Sequence, residues 1–393
     1  LIYKKLSLLL TGIIAILLIN SCSENPVSVG IGLLKSDYVN VKEIDSYGDS
    51  LKQSSSYFKY DIPITGSAAS LLIGKAANVS ASYLSEFNIS LPDTIETDIL
   101  DGAATVTYAG VSLYPNYVFG DSNLAMDFTV NKISYDWTSA GVDADSINSL
   151  GIIQADLSTN RTFSDSLVTF NLDKSYVLNI LKYASDSTLG IDHGIYFKPT
   201  SNSKKVVGFD AVATTSSYTT LKVVLLKPGD YSDTLLFYPG RESSIVTGSI
   251  PSISSQDIAV QGGLVINSHL TFNVSSVPAN SLINYANLTL NIDTVATIVG
   301  YPYLNSLTVL LLTDSTARAY DSTQSITLSR SGNTFQGNIA AYVQNWIDKG
   351  VNEGLLLQVT TQNDGLEYYA LTGSNAANRA LRPRLQITYT GKK

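Results

Sequence analysis

The chain has 393 residues, a net charge of −8, one Cys, two His and only 15% charged residues. A single thiol closes no internal disulfide and supplies no Cys-based zinc site, and two His standing 76 positions apart, His193 and His269, leave little for a His-rich metal centre. The acidic balance, without a long Lys/Arg run, gives no electrostatic reason to expect nucleic-acid binding.

Residues 1–21 read as an export signal. Lys4 and Lys5 precede an apolar run from Leu6 to Ile19, and Ser21 stands directly before Cys22. That is the order of a basic n-region, an h-region and a small residue at a cleavage point. As a helix, the 14 residues of the run reach roughly 21 Å, short of a hydrocarbon core of about 30 Å, so a stable transmembrane anchor is not expected. Ile19-Asn20-Ser21-Cys22 resembles the lipobox of bacterial lipoproteins, with Asn20 departing from the usual small or aliphatic residue. The resemblance implies cleavage before Cys22, lipidation of its sulfur and acylation of its amine. Cleavage there takes away Lys4 and Lys5 and moves the side-chain charge from −8 to −10. Several acyl chains hold a protein stably where one binds marginally. Residues 22–35, with Pro26, Gly30 and Gly32, read as a tether.

The rest of the chain is rich in Ser, Thr, Asn, Tyr and Val, which suits strands and turns. Short runs alternate with period two: Thr105 to Tyr108, Leu288 to Ile292, Leu307 to Leu310, Leu355 to Val359 and Leu385 to Tyr389. Three landmarks recur in the same order in both halves. Phe87-Asn88-Ile89-Ser90 parallels Phe272-Asn273-Val274-Ser275; Tyr176 to Lys182 parallels Tyr342 to Asp348; and Thr220 to Leu225 parallels Arg384 to Tyr389. The second landmark predicts one short helix per copy, since Tyr342, Val343, Trp346 and Ile347 share a face. The expected fold is all-β, with two tandem antiparallel β-sandwich domains of jelly-roll type, residues 36–238 and 239–393, each with one short helix.

The closing run Leu381-Arg382-Pro383-Arg384-Leu385-Gln386-Ile387-Thr388-Tyr389 resembles the final strand of the DNRLRE domain, a jelly-roll-like sandwich of secreted bacterial proteins related to a polysaccharide-binding module family. Leu270 to Val274, Ala286 to Leu290, and Val343 to Trp346 with Asn352 to Leu355 resemble that family in the same order. The resemblance covers about residues 256–390; the first copy matches more loosely, lacking the Arg-Pro-Arg element and carrying Ile180 where the second has Trp346. Cys22 followed by Val29 to Leu34 also looks like an uncharacterised group of Bacteroidota-type surface lipoproteins.

Catalytic sets are sparse. No Gly-x-Ser-x-Gly elbow occurs, and His193 and His269 read as structural or surface residues. Asp143-x-Asp145 and the Asp186 to Asp192 segment could offer oxygen ligands to Ca²⁺, but no EF-hand spacing is present and turn-forming Asp is the better reading. No cofactor is expected. Trp137 and Trp346 read as core. Tyr114 and Tyr117 around Pro115, and Tyr301 and Tyr303 around Pro302, are the candidate ligand-binding residues, because loop tyrosines on a rigid sandwich can stack on the apolar faces of sugar rings. The expectation is a non-catalytic, lipid-anchored protein of the bacterial envelope, of the outer membrane, serving adhesion, scaffolding or polysaccharide capture, with a polysaccharide or an envelope protein as partner. The alternatives are an envelope polysaccharide hydrolase or lyase using carboxylates, and a structural subunit of a surface assembly.

Overall fold

The computed structural model describes residues 41–48, 51–60, 68–139, 142–143, 145–212, 218–360 and 362–391. The expected export signal and tether, residues 1–35 with Cys22 among them, lie outside the described residues. Strand makes up 51% and helix 12%, in two antiparallel sheets, so the β-rich composition sets the class. Among the described residues no helix is long and apolar enough to cross a membrane.

In chain order the strands begin with β1 (Val41–Asp45), β2 (Gln53–Lys59), β3 (Ser70–Ala76), β4 (Val79–Asn88), β5 (Thr105–Leu113), β6 (Pro115–Phe119), β7 (Phe128–Lys132) and β8 (Ser158–Phe163). There follow β9 (Val168–Leu172), β10 (Ile195–Pro199), β11 (Val206–Asp210), β12 (Thr220–Lys227), β13 (Tyr231–Gly248), β14 (Asp257–Gln261), β15 (Ile266–Phe272) and β16 (Leu282–Ile298). The last are β17 (Gly300–Tyr301), β18 (Ser306–Asp314), β19 (Ala319–Ser331), β20 (Thr334–Asn338), β21 (Leu355–Val359), β22 (Tyr368–Thr372) and β23 (Arg384–Thr390). The first sheet runs β17-β6-β11-β3-β4-β13-β12-β5-β9-β8, with β10 joining β4 to β7; the second runs β1-β23-β16-β20-β19-β18-β21-β15-β14-β22, with β2 on β15.

Period-two burial explains these strands. In β12, Leu221, Val223 and Leu225 are wholly buried between outward Lys222 and Leu226, and in β23 Leu385, Ile387 and Tyr389 repeat the pattern. Each such side chain contributes about 1.5–3 kcal/mol by leaving water. Helix α1 (Asp93–Leu100) follows Pro92, carries Asp93 and Glu96 in its first turn and buries Ile95 and Ile99. Helix α2 (Lys174–Ser185) is capped by Asp173, which accepts the Tyr176 N–H at 2.8 Å. Helix α3 (Ala340–Lys349) stops at Gly350, whose φ of 65° is a left-handed terminus. Among the described residues the first half thus holds two helices where one was expected; Ile95 and Ile99 at i, i+4 are the signal for the additional one.

The two sheets pair their strands in the same order. β4 takes β3 and β10, and β15 takes β14 and β21; β5 takes β9 and β12, and β16 takes β20 and β23. The second sheet closes, because β22 returns to β16 and β18 pairs along β19, giving an eight-stranded barrel. The first stays open. Between β7 and β8 the chain leaves on an excursion through a 3₁₀ turn, Asp145–Leu150, and builds a separate apolar cluster from Ile133, Trp137 and Leu150 against Leu84 and Tyr196.

The expected boundary at residue 238 is corrected. It falls inside β13, whose first part pairs with β12 and whose second part pairs with β4. Residues 41–59, expected in the first domain, belong to the second sheet: β1 pairs with β23 and β2 with β15. Together β1 and β2 occupy in the second sheet the place that β13 occupies in the first. A third apolar cluster joins the halves, with Leu72, Ala81, Tyr117 and Phe119 packed against Leu264, Ile266, Leu366 and Tyr368.

Candidate functional site

The four candidate tyrosines separate into different environments. Tyr117 is not in a loop but in β6, only 5% exposed, and its hydroxyl accepts the Leu366 N–H at 2.9 Å. Burial between the sheets makes it an interface residue rather than a ligand contact. Tyr114 is half-buried, and its carbonyl accepts the Asp210 N–H at 2.9 Å. Gly300 and Tyr301 pair with Phe119 and Val118, so the fold does bring the two tyrosine segments together. Gly300 lies against the Tyr117 ring, leaving no room for a Cβ. Tyr301 is 78% exposed and Tyr303 half-buried.

The aspartates weighed as calcium ligands are engaged in turns. Asp143 accepts the Ser146 N–H at 2.8 Å and Asp186 the Thr188 N–H at 2.9 Å, and hydroxyl bonds from the same residues hold both carboxyls below their ordinary value. Among the described residues no group of three or more His, Cys, Asp or Glu gathers as a metal would need. His269 donates Nε2–H to the Glu353 carbonyl at 3.0 Å. Trp346 is buried in the second core and Trp137 in the excursion cluster.

Chemistry collects instead in a cleft of about 410 Å³ where the end of β4, a bulge of β13 and α2 meet. The register of β13 shifts between Pro239 and Arg241, with Gly240 as the extra residue, and this turns Arg241 toward Glu86. Arg241 donates Nε–H to Glu86 Oε2 at 3.0 Å and Nη1–H to Asp136 Oδ1 at 2.8 Å. It also bonds the Trp137 carbonyl, and its guanidinium lies 4.9 Å from the Trp137 ring centroid. Trp137 in turn donates Nε1–H to the His193 carbonyl at 2.8 Å, and His193 Nδ1 stands 3.8 Å from Asp136 Oδ1. A cation fixed by two carboxylates and a ring face is held in one geometry rather than sampling many.

Across the cleft, α2 and the turn after it supply Ile180, Tyr183, Ile191 and Asp192. Gly190 presses on the Tyr183 ring, where a Cβ would collide, and this fixes the ring's position. The Tyr176 hydroxyl donates to Asp192 Oδ1 at 3.0 Å. Burial pushes the Asp192 carboxyl above its ordinary value; the Tyr176 bond draws it back and the Glu86 charge raises it further. The cleft therefore presents two carboxylates, a fixed guanidinium, a ring and aliphatic walls, a set able to hold hydroxyl groups on one side and C–H faces on the other. Its volume is in the small-ligand range of about 300–1,000 Å³.

Sequence reasoning reached Asp192 as a turn-forming aspartate and His193 as a structural or surface residue, and did not single out Glu86, Asp136 or Arg241. These three come from strands and loops up to 155 positions apart, and no local spacing connects them. The one available sign was Pro239-Gly240 interrupting the alternation of β13. No family model matches this chain, and no curated protein matches it.

Proposed function

We propose that the chain is a non-catalytic, lipid-anchored protein of the bacterial outer membrane that captures glycans, built from two repeated jelly-roll-like sandwiches of the DNRLRE kind. The lipobox-like Ile19 to Cys22 supports the anchor, and Arg382-Pro383-Arg384 with the repeated pairing order supports the family resemblance. The observation that carries glycan capture is the Arg241 cleft, where charged acceptors and donors are fixed beside the Tyr183 ring and the apolar Ile180 and Ile191. Sugars present that same mixture of hydroxyls and C–H faces.

The test is calorimetric titration of the full chain with soluble oligosaccharides, followed by product analysis of the same samples. Saturable binding without products, lost in Tyr183→Ala and Asp192→Asn with unfolding temperature unchanged, is the expected result. No binding to any sugar tested would overturn the proposal.

A hydrolytic reading is favoured by one observation: Glu86 and Asp192 line the same cleft, Glu86 paired to a guanidinium and Asp192 biased by burial toward its protonated form. Two carboxyls so differentiated are what an acid and its partner require. Release of reducing ends, abolished in Asp192→Asn, would establish that reading in place of capture.

A further inference from the structure

Tyr108 of β5 and Tyr285 of β16 occupy the same position in the two repeats. Tyr108 stands opposite Val224 and Tyr285 opposite Thr388, each the fifth residue of its copy of the third sequence landmark. Both follow the same irregularity: Thr107 is an extra residue between Val106 and Tyr108, and Asn284 between Ile283 and Tyr285. In each case a buried Ala comes next, Ala109 or Ala286. Bulges of this kind re-aim the side chain beside them. Here both aim a tyrosine out of the sheet, 42% exposed at Tyr108 and 47% at Tyr285.

The rings also lie the same way, along their own strands. The phenol of Tyr108 rests over Gly110, where a Cβ would collide with it, and the Tyr285 hydroxyl donates to Asn287 Oδ1 two residues on, at 3.5 Å. A ring lying along a sheet presents its π-face to the outside. Core packing explains why buried positions match between repeats, but it gives no reason for an exposed tyrosine and its bulge to be kept in both.

The surroundings mix hydroxyl, amide and apolar side chains and carry few charges. Around Tyr108 the outward positions of β9, β5, β12 and the first part of β13 include Ser112, Thr169, Thr220 and Thr234 together with Val224 and the exposed Leu226 and Leu236, and Lys222 is the charged side chain alternating outward among them. Around Tyr285 they include Asn287, Thr289, Gln386 and Thr388; Arg384 and Asp45 neutralise each other as an ion pair, and Glu43, opposite Thr388 in register, is the carboxylate left beside them. On a chain with a net charge of −8, such faces suit a partner rich in hydroxyls and without charge; an acidic polymer would meet the field of the whole molecule as repulsion.

We infer that Tyr108 and Tyr285 are duplicated stacking platforms for a neutral polysaccharide strand, one on the outer face of each repeat and both distinct from the Arg241 cleft. This rests on the glycan-capturing reading and adds to it a polymer-binding surface. Two equivalent platforms on one chain hold a repeating polymer more tightly than either alone, through effective concentration.

The experiment is depletion binding of the full chain to insoluble cellulose and xylan, with alginate gel as the acidic counterpart. Wild type is expected to be retained by a neutral polymer. Tyr108→Ala and Tyr285→Ala should each weaken retention about ten-fold, and the double variant by roughly 10²-fold or more. Tyr108→Phe and Tyr285→Phe, which keep the ring, should retain binding. Circular dichroism and thermal unfolding confirm that the variants fold. Undiminished retention in the double variant overturns the inference while leaving capture in the cleft intact, as shown by unchanged oligosaccharide titration. Retention by alginate alone overturns the neutral assignment. Absence of binding to every polymer and every soluble sugar overturns this inference and the glycan reading together.

Discussion

Glu367 sits between the two halves at 3% exposure, and its Oε2 has no hydrogen-bond partner among the described residues. Burial raises its carboxyl above the ordinary value of 4.5. The protonated form is therefore the one the fold favours. Below about pH 4.5 the group is protonated in both folded and unfolded chains and carries no penalty; as pH rises through that value toward the raised folded one, stability is lost. Glu367→Gln should remove this loss, leaving stability near pH 4 unchanged and raising it at pH 7 by on the order of 1 kcal/mol. Denaturant unfolding at the two pH values reads the difference, and equal effects at both would refute the assignment. Asp45 works in the opposite sense. Its bonds to Arg384 hold its carboxyl below the ordinary 3.8, so the stability it contributes is present above that value and lost as pH falls through the lower folded one. Asp45→Asn should cost about 1 kcal/mol or less at pH 7, given solvent screening, and progressively less as pH falls below 3.8.

Most of the secondary elements were legible because period-two alternation marks which face of a strand is buried. Each quoted alternating run lies within a strand, β5, β16, β18, β21 or β23, and the two landmark helices lie in α2 and α3. Alternation names a face but not a neighbour. That is why Tyr117, whose ring looked like a loop platform beside Pro115, proved to fill the space between sheets. Tyr117→Phe leaves the buried Leu366 N–H without its acceptor. A cost of about 1–3 kcal/mol is expected, seen as a lower unfolding midpoint with no change in polymer retention. Bulges were equally hidden, since one extra residue shifts the pattern without announcing whether it serves curvature or aims a side chain. Gly110→Ala separates those roles for β5: its Cβ would collide with the mobile end of the Tyr108 side chain. Stability should change by less than about 1 kcal/mol, while retention on a neutral polymer falls as the ring is lifted from the sheet.

At the scale of the whole molecule, the two sheets share a pairing order whose last position is filled differently in each. In the first sheet the strand after β12 follows it by a hairpin, Lys227 pairing with Tyr231. In the second, the strand beside β23 comes from the other end of the sequence, Val41 pairing with Thr390. No sequence pattern could reveal this, because the pairing residues are separated by more than 330 positions. The geometry makes a direct prediction. Since Val41 and Thr390 are register partners in an antiparallel pair, a permuted chain that begins at residue 68, runs to 391 and continues through a short Gly-rich turn into residues 41–60 would turn that pair into a hairpin like β12–β13. It should unfold cooperatively at a temperature close to the parent's. A chain simply lacking residues 41–60 exposes the unpaired edges of β23 and β15, which are templates for association, and should melt earlier and aggregate. If the deleted chain matched the parent in midpoint and remained monomeric, β1 and β2 would be accessory rather than part of the second repeat. Equal failure of the permuted and deleted chains would mean that covalent continuity between β2 and β3 is required for the fold.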